Sequence, residues 1–213
     1  FFPFPRCLDP QNPESLSFMQ TLQRDLVPYF SSPNFNICCD ETLELGKGHN
    51  KEACETKGKG RVYLDFLLKV IDTAQSLGKR VLFWDDIIKH YPELLSELPE
   101  DAVVLDWGYL ANEPLEADSE MLHKAGVTYY ICPGTGAWNT LLGMTNQMIT
   151  NIRNASDLGM KYGASGLLNT DWGDCGHLQS LPTSYSGIAY GAAMAWSPVE
   201  SREMNLAGML DTL

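Results

Sequence analysis

The sequence has no long apolar run and few positive charges. No stretch approaches the roughly 18 apolar residues of a membrane-spanning helix. Lys and Arg number 15 against 27 Asp and Glu, which gives a formal net charge of −12. Nucleic acids and anionic membrane surfaces are bound by basic faces. These two deficits argue against nucleic-acid and membrane partners and favour a neutral ligand.

Two further kinds of motif are absent. No glycine-rich phosphate loop follows any predicted strand, and the six cysteines show no paired metal-ligand spacing (Cys7, Cys38, Cys39, Cys54, Cys132 and Cys175). We therefore expect buried free thiols, with Cys38 and Cys39 pointing to opposite faces of one strand. The N-terminal Phe-Phe-Pro-Phe-Pro resembles no secretory signal. Together with free thiols, this favours a cytoplasmic location.

Four short apolar runs each end in acidic residues, tryptophan, or both. They are Phe35–Glu41, Val81–Asp86, Val103–Trp107 and Gly166–Asp174. Near-continuous apolar runs are typical of parallel strands that are buried on both faces. Acids and aromatics at the ends of such strands lie where α/β barrels build their active sites, and indole faces stack on sugar rings. The pattern indicates an enzyme that acts on carbohydrate.

Strands and helices alternate along the whole chain, which predicts a parallel sheet with helical crossovers. The predicted strands are 35–39, 81–84, 102–105, 128–132 and 166–170. The predicted helices begin at Pro13 and cover about 62–78, 91–98, 117–125, 144–158 and 183–195, with a polar loop at 45–60. Acids at nearly every strand end favour a (β/α)8 TIM barrel over an open sheet. Such a barrel needs about 250 residues, so residues 1–213 are expected to form a single partial barrel domain that holds about the last five strands.

Asp40-Glu41 is the strongest candidate for catalysis. Two adjacent carboxylates repel each other if both ionise. The pair can therefore supply one neutral acid that donates a proton and one anion that stabilises positive charge.

Several motifs together resemble the β-N-acetylhexosaminidases of glycoside hydrolase family 20. They are Asn36-Ile37-Cys38-Cys39-Asp40-Glu41, Trp84-Asp85-Asp86-Ile87, Trp107-Gly108-Tyr109, Cys132-Pro133-Gly134-Thr135 with Trp138-Asn139, and Thr170-Asp171-Trp172-Gly173-Asp174. They occur in the order and spacing of that family between about residues 8 and 197. The resemblance implies the C-terminal part of the catalytic barrel.

The resemblance also implies substrate-assisted retaining hydrolysis, without cofactor or metal. Glu41 would be the acid and base, and Asp40 would orient the substrate's acetamido group. Terminal β-linked N-acetylhexosamine would be bound by Trp84, Trp107, Tyr109, Trp138, Trp172 and Asp174. The remaining acids, Asp85, Asp86, Asp106 and Asp171, are expected to orient indoles and loop N–H groups.

Two other functions are compatible with the residues. Glu41, Asp86, Asp106 and Asp174 could bind Mg²⁺ or Mn²⁺ in a sugar isomerase or epimerase. A carbohydrate-binding fragment without turnover is the second alternative. A sheet that lacks three strands has two unpaired edges, so we expect association through those edges or with the missing part of the barrel.

Overall fold

The computed structural model describes residues 7–211, in which five parallel strands alternate with helices. The strands are β1 (Asn34–Asn36), β2 (Arg80–Trp84), β3 (Val103–Trp107), β4 (Tyr129–Cys132) and β5 (Gly166–Leu167). Their order in the sheet is β1-β2-β3-β4-β5. A doubly wound sheet would reverse its strand order at a switch point, whereas a barrel keeps the strands sequential. The predicted α/β class and the partial (β/α)8 barrel are confirmed.

The helices follow the strands in the alternation that the sequence predicts. They are α1 (Pro13–Leu26), α2 (Lys51–Lys57), α3 (Lys59–Ser76), α4 (Leu115–Ala125), α5 (Thr145–Tyr162), α6 (Asp174–His177), α7 (Pro182–Trp196), α8 (Pro198–Ser201) and α9 (Leu206–Leu210). Short 3-10 segments cover Val27–Tyr29, Gly48–Asn50, Ile88–His90 and Pro92–Glu97. Across residues 7–211, no helix combines the length and apolarity needed to cross a membrane.

The chain divides into two compact units. The first runs up to Leu105 and includes Ala125–Thr128, and the second contains Asp106–Lys124 and the chain from Tyr129 onward. Strand β3 begins in the first unit and ends in the second. That the whole chain forms a single domain stays a prediction.

In the first unit, β2 pairs with β1 and β3. Phe35 lies opposite Val81, and Phe83 lies opposite Val104. Helix α3 provides most of the helical core, through the buried side chains of Val62, Leu64, Leu67, Val70, Ile71 and Ala74. Leu67, Val70, Ile71 and Ala74 among them repeat at helical spacing and lie on one apolar face. The strands of the first unit are therefore supported by the buried side chains of α3.

In the second unit, β4 pairs with β5, with Ile131 opposite Leu167. Ile131 packs with Leu115 and Ala155 in one core cluster. A second cluster joins α5 and α7 through Met148, Ile152, Tyr190 and Met194. Helix α5 contributes residues to both clusters and so connects the two parts of the core of this unit.

Helix α1 begins as the sequence predicts, but its apolar side is exposed. Asn12 caps the helix by accepting a hydrogen bond from the backbone N–H of Glu14 at 3.0 Å, with Pro13 in the first turn. Leu22 and Leu26 are 44% and 49% exposed. The contact with α3 uses Gln23 instead, which donates to the carbonyl of Val70 at 3.3 Å.

Three predicted boundaries are wrong. The predicted strand 35–39 ends at Asn36, because Cys38 and Cys39 have left-handed backbone (φ 61° and 68°) that a strand does not accommodate. The predicted loop 45–60 contains α2. Helix α5 continues through Gly159, which is buried and packs near Ile131, and it stops where Gly163 adopts φ 74°.

Two further predicted elements also differ from the observed ones. Helix 91–98 is a 3-10 segment, and the last predicted strand contracts to Gly166–Leu167 with one isolated bridge from Gly134 to Thr170. The cysteines are free, as predicted, but among them only Cys132 is buried. The expectation that all six are buried is wrong: Cys7, Cys39 and Cys54 are half-buried and Cys38 and Cys175 are exposed, because all five lie outside the strands.

Candidate active site

The segment that carries Asp40 and Glu41 leaves β1 through an unusual backbone. Cys38, Cys39 and Glu41 all have positive φ, at 61°, 68° and 49°. A side chain at positive φ costs free energy, and such residues concentrate at functional sites where the surrounding structure holds them. The turn directs the two acids away from the extended path that the sequence predicted.

Hydrogen bonds from neighbouring elements hold this turn. Asp86 accepts from the backbone N–H of Glu41 at 2.9 Å. The hydroxyl of Tyr63, on α3, donates to the carbonyl of Cys39 at 2.9 Å. The backbone N–H of Trp84 donates to the carbonyl of Cys38 at 3.0 Å. Three consecutive peptide groups before the catalytic candidate are therefore tied to α3 and to the end of β2.

Two groups beside the acids stay neutral. Burial raises the pKa of the Cys39 thiol to about 12, and the neighbouring Cys38, Asp40 and Asp86 add to the effect. Burial also raises the pKa of Tyr63 well above its usual value. Both remain protonated at neutral pH, so Tyr63 can donate its hydrogen bond and neither group adds negative charge to the segment.

The three predicted site residues of the first unit differ in accessibility. Glu41 is exposed, Asp40 is half-buried, and Trp84 is 5% exposed at the end of β2. An exposed Glu41 suits a proton donor that a ligand can reach, and a half-buried Asp40 suits an anion with a fixed position. Within the first unit, Trp84 exposes little surface that a ligand could contact.

A cavity of about 250 Å³ lies beside Asp40 in the first unit. Its lining is largely apolar and comes from residues 7–10, from the segment 37–45 after β1, from Met19 on α1, and from α3. Sugar recognition requires several convergent polar groups. The lining supplies few of them, so we do not assign the sugar site to this cavity.

Four of the predicted sugar-binding residues form an aromatic cluster in the second unit: Trp107, Tyr109, Trp138 and Trp172. The Trp107 and Tyr109 rings stack with centroids 5.1 Å apart and planes at 25°. Tyr109 meets the edge of Trp138 at 4.9 Å and 90°. The indole N–H of Trp172 donates to the Tyr109 hydroxyl at 3.0 Å. Tyr109 is thus the centre of this cluster, and its ring and hydroxyl are fixed by three tryptophans.

Gly134 makes room for the aromatic cluster. A Cβ atom at this position would lie 2.3 Å from Cη2 of Trp138 and 3.0 Å from Cδ1 of Tyr109. Carbon atoms do not approach to 2.3 Å without a bond, so only glycine lets both rings pack against this backbone. The first glycine of the Pro-Gly-Thr-Gly loop is therefore explained by the close approach of aromatic rings.

We expect Gly134→Ala to destabilise the protein by about 1–3 kcal/mol, because the added methyl group displaces the Trp138 indole. Chemical denaturation followed by tryptophan fluorescence measures the effect. The matched variant Gly134→Ala with Trp138→Phe should recover part of the loss, because phenylalanine lacks the colliding Cη2 atom. Equal losses in the single and double variants would contradict the collision.

The other acids have different environments. Asp174, predicted to bind sugar, is exposed, and Asn139 donates to it at 3.5 Å. Asp86 binds a loop N–H, as predicted. Asp106 accepts from the Ser119 hydroxyl at 3.3 Å, and Asp171 accepts from the Thr135 hydroxyl. That these two acids also orient indoles or loop N–H groups stays a prediction.

Sequence reasoning missed Tyr63 and Asn151. Each lies in the middle of a helix, far along the chain from the residues it contacts. Neither belongs to a strand-end motif. Only the packing of α3 and α5 reveals them.

The strands are parallel and sequential, and acids and aromatic residues follow their ends, which is the arrangement of a partial (β/α)8 barrel. The model of the family "Glycosyl hydrolase family 20, catalytic domain" matches residues 2–171, and the chain belongs to this family. A comparison with curated protein sequences finds no match.

Solved structures support the same fold. A chitobiase from Flavobacterium johnsoniae superposes with a TM-score of 0.68 at 18% identity, covering 94% of this chain and 32% of that chain. A β-N-acetylhexosaminidase from Bacteroides fragilis superposes with a TM-score of 0.58 at 16% identity, covering 78% of this chain and 36% of that chain. The β-N-acetylhexosaminidase from Streptomyces coelicolor A3(2) superposes with a TM-score of 0.52 at 16% identity, covering 92% of this chain and 44% of that chain. The chain thus spans less than half the length of each, and at these identities the likeness shows the fold alone.

Proposed function

We propose that the protein containing this chain is an exo-acting β-N-acetylhexosaminidase that removes terminal N-acetylglucosamine or N-acetylgalactosamine. The observation that carries the proposal is the turn at Asp40-Glu41, which follows β1 and is held by Asp86 and Tyr63. Family membership supports a glycoside hydrolase. Two of the similar structures are β-N-acetylhexosaminidases, which supports the choice of sugar.

The proposed reaction uses the substrate's own nucleophile. The acetamido oxygen attacks the anomeric carbon while Glu41 protonates the departing glycosidic oxygen, which gives an oxazolinium intermediate. Asp40 accepts the acetamide N–H and stabilises the positive charge. Glu41, now a carboxylate, takes a proton from water as the water attacks the same carbon, and the anomeric configuration is retained. A nucleophile that is already in place can lower the barrier by roughly 7–11 kcal/mol.

In this proposal the aromatic cluster binds the sugar, and Asp174 binds its hydroxyls. Indole and phenol faces offer apolar surface to the C–H face of a pyranose. Trp84 would contribute from the end of β2. Within the described residues no three His, Cys, Asp or Glu side chains are grouped to hold a metal ion. The metal-dependent isomerase or epimerase therefore has no supporting observation.

We expect an N-acetylglucosamine-derived thiazoline, which mimics the oxazoline, to inhibit competitively. It reproduces the bicyclic shape of the intermediate, and mimics of high-energy states bind about 10²–10⁸-fold more tightly than substrates. Inhibition is measured against aryl β-N-acetylglucosaminide hydrolysis by the intact protein that contains this chain.

The matched control is aryl β-glucoside, which carries a hydroxyl in place of the acetamido group and should not be hydrolysed. An active enzyme that the thiazoline leaves unaffected would rule out substrate assistance.

A further inference from the structure

The side chain of Asn151 connects two loops of the second unit. Asn151 lies on α5 and is 1% exposed. Its side-chain N–H groups donate to the carbonyls of Gly108 at 2.8 Å and Leu110 at 3.0 Å. Its side-chain oxygen accepts from the backbone N–H of Gly134 at 3.1 Å. One buried amide thus uses both of its donors and its acceptor on backbone groups of two loops.

The three bonds surround the residues that carry the aromatic cluster. Gly108 and Leu110 flank Tyr109, so fixing both of their carbonyls restricts the backbone on either side of that ring. Gly134 is the backbone against which the Trp138 and Tyr109 rings pack. Asn151 therefore acts on both sides of the contact between Tyr109 and Trp138, which meet at 4.9 Å.

We propose that Asn151 is a positioning residue for sugar binding, which sets the relative placement of Tyr109 and Trp138 through the loops at 108–110 and at Gly134. It does not touch the sugar. The inference rests on the proposed function in so far as the aromatic cluster binds N-acetylhexosamine. A buried amide with all its groups bonded to backbone fixes geometry more strictly than apolar packing does, because each lost bond leaves a buried polar group unsatisfied.

Helix α5 offers a matched control. Asn154 lies one turn after Asn151, is exposed, and donates a single bond to the carbonyl of Ala111 at 3.1 Å. The pair Asn151→Asp and Asn154→Asp makes the same chemical change on the same helix. Only the first places a carboxylate against the carbonyls of Gly108 and Leu110.

The first test measures the dissociation constant of N-acetylglucosamine by tryptophan fluorescence in the intact protein. We expect Asn151→Ala and Asn151→Asp to weaken binding about ten- to hundredfold at neutral pH, because a displacement of about 1 Å can cost that much. Asn154→Asp should bind within about twofold of the unchanged protein. A carboxyl group donates a hydrogen bond only when protonated, and then only one, so Asn151→Asp should regain part of the affinity at acid pH while Asn151→Ala does not.

A purely structural role predicts a different result. The melting temperatures of both Asn151 variants would fall while the dissociation constant stayed within twofold, measured well below the melting temperature. That outcome would overturn the proposal. Should Asn151→Ala fail to fold, the pH dependence of Asn151→Asp decides, and equal affinity at both pH values would overturn it.

A second measurement does not depend on the sugar. The indole N–H of Trp172 bonds to the Tyr109 hydroxyl, so its NMR resonance reports the position of Tyr109. We expect it to shift in Asn151→Ala without ligand and to stay in place in Asn154→Asp. An unchanged resonance in Asn151→Ala would overturn the positioning role. If the unchanged protein does not bind N-acetylglucosamine, the proposed function fails, and this resonance still decides the role of Asn151.

Discussion

We expect Glu41→Gln to lower kcat/KM by about 10²–10⁴-fold on substrates whose leaving group needs a proton, which is the usual contribution of general acid catalysis. Glutamine preserves the size of the side chain but cannot donate an acidic proton. Because Glu41 is exposed, the substitution should hardly change stability. The turn is held through the backbone N–H of Glu41, which the substitution leaves bonded to Asp86.

The leaving group provides the internal control for Glu41→Gln. An alkyl or disaccharide β-N-acetylglucosaminide requires protonation, whereas a dinitrophenyl glycoside leaves as a stable anion. The loss should therefore be much larger for the first substrate than for the second. Glu44→Gln, three residues along the same segment, should retain full activity. Unchanged rates of Glu41→Gln on the alkyl glycoside would remove Glu41 as the acid.

We expect Asp40→Asn to lower kcat/KM by about 10²–10³-fold, the usual cost of losing a group that stabilises charge in the transition state. Asparagine oxygen can still accept the acetamide N–H, but it lacks the negative charge that opposes the oxazolinium. The substitution thus separates charge stabilisation from orientation. Asp40 is half-buried in a turn tied to α3, so the charge it presents has a fixed position.

Two measurements identify the cause of the loss in Asp40→Asn. The affinity for the thiazoline should fall with kcat/KM, because the mimic and the transition state use the same anion. Asp72→Asn, on the exposed side of α3, changes the net charge equally and should leave both quantities unchanged. A loss of kcat/KM with unchanged melting temperature but undiminished thiazoline affinity would argue against the proposed role of Asp40.

Several elements of the fold could be predicted from interactions between residues that are adjacent in the sequence. The Asn12-Pro13-Glu14 start of α1 was predictable because capping depends on three adjacent residues. The strands β2 and β3 were predictable because a continuous apolar run suits only a buried position between neighbours. Both signals are contained in short windows of sequence.

The failures share a different physical cause. Cys38 and Cys39 are compatible with a strand by local preference, but they adopt left-handed backbone where Tyr63 and Trp84 bind their carbonyls. Gly159 resembles a helix end, yet the helix continues to Tyr162, and Gly159 packs close to Ile131. In each case a contact between distant residues overrides the local preference.

The sequence by itself determined the order of the strands, the family, and the residue types at the strand ends, because these depend on apolar patterning and on motifs a few residues long. Only the tertiary structure decided how Asp86 and Tyr63 hold the turn at Asp40-Glu41. It also decided that Tyr109 is the centre of the aromatic cluster, and that Asn151 reaches both of the loops that carry it. Those arrangements depend on side chains that bond to residues more than 20 positions away along the chain, and no local pattern encodes such a contact.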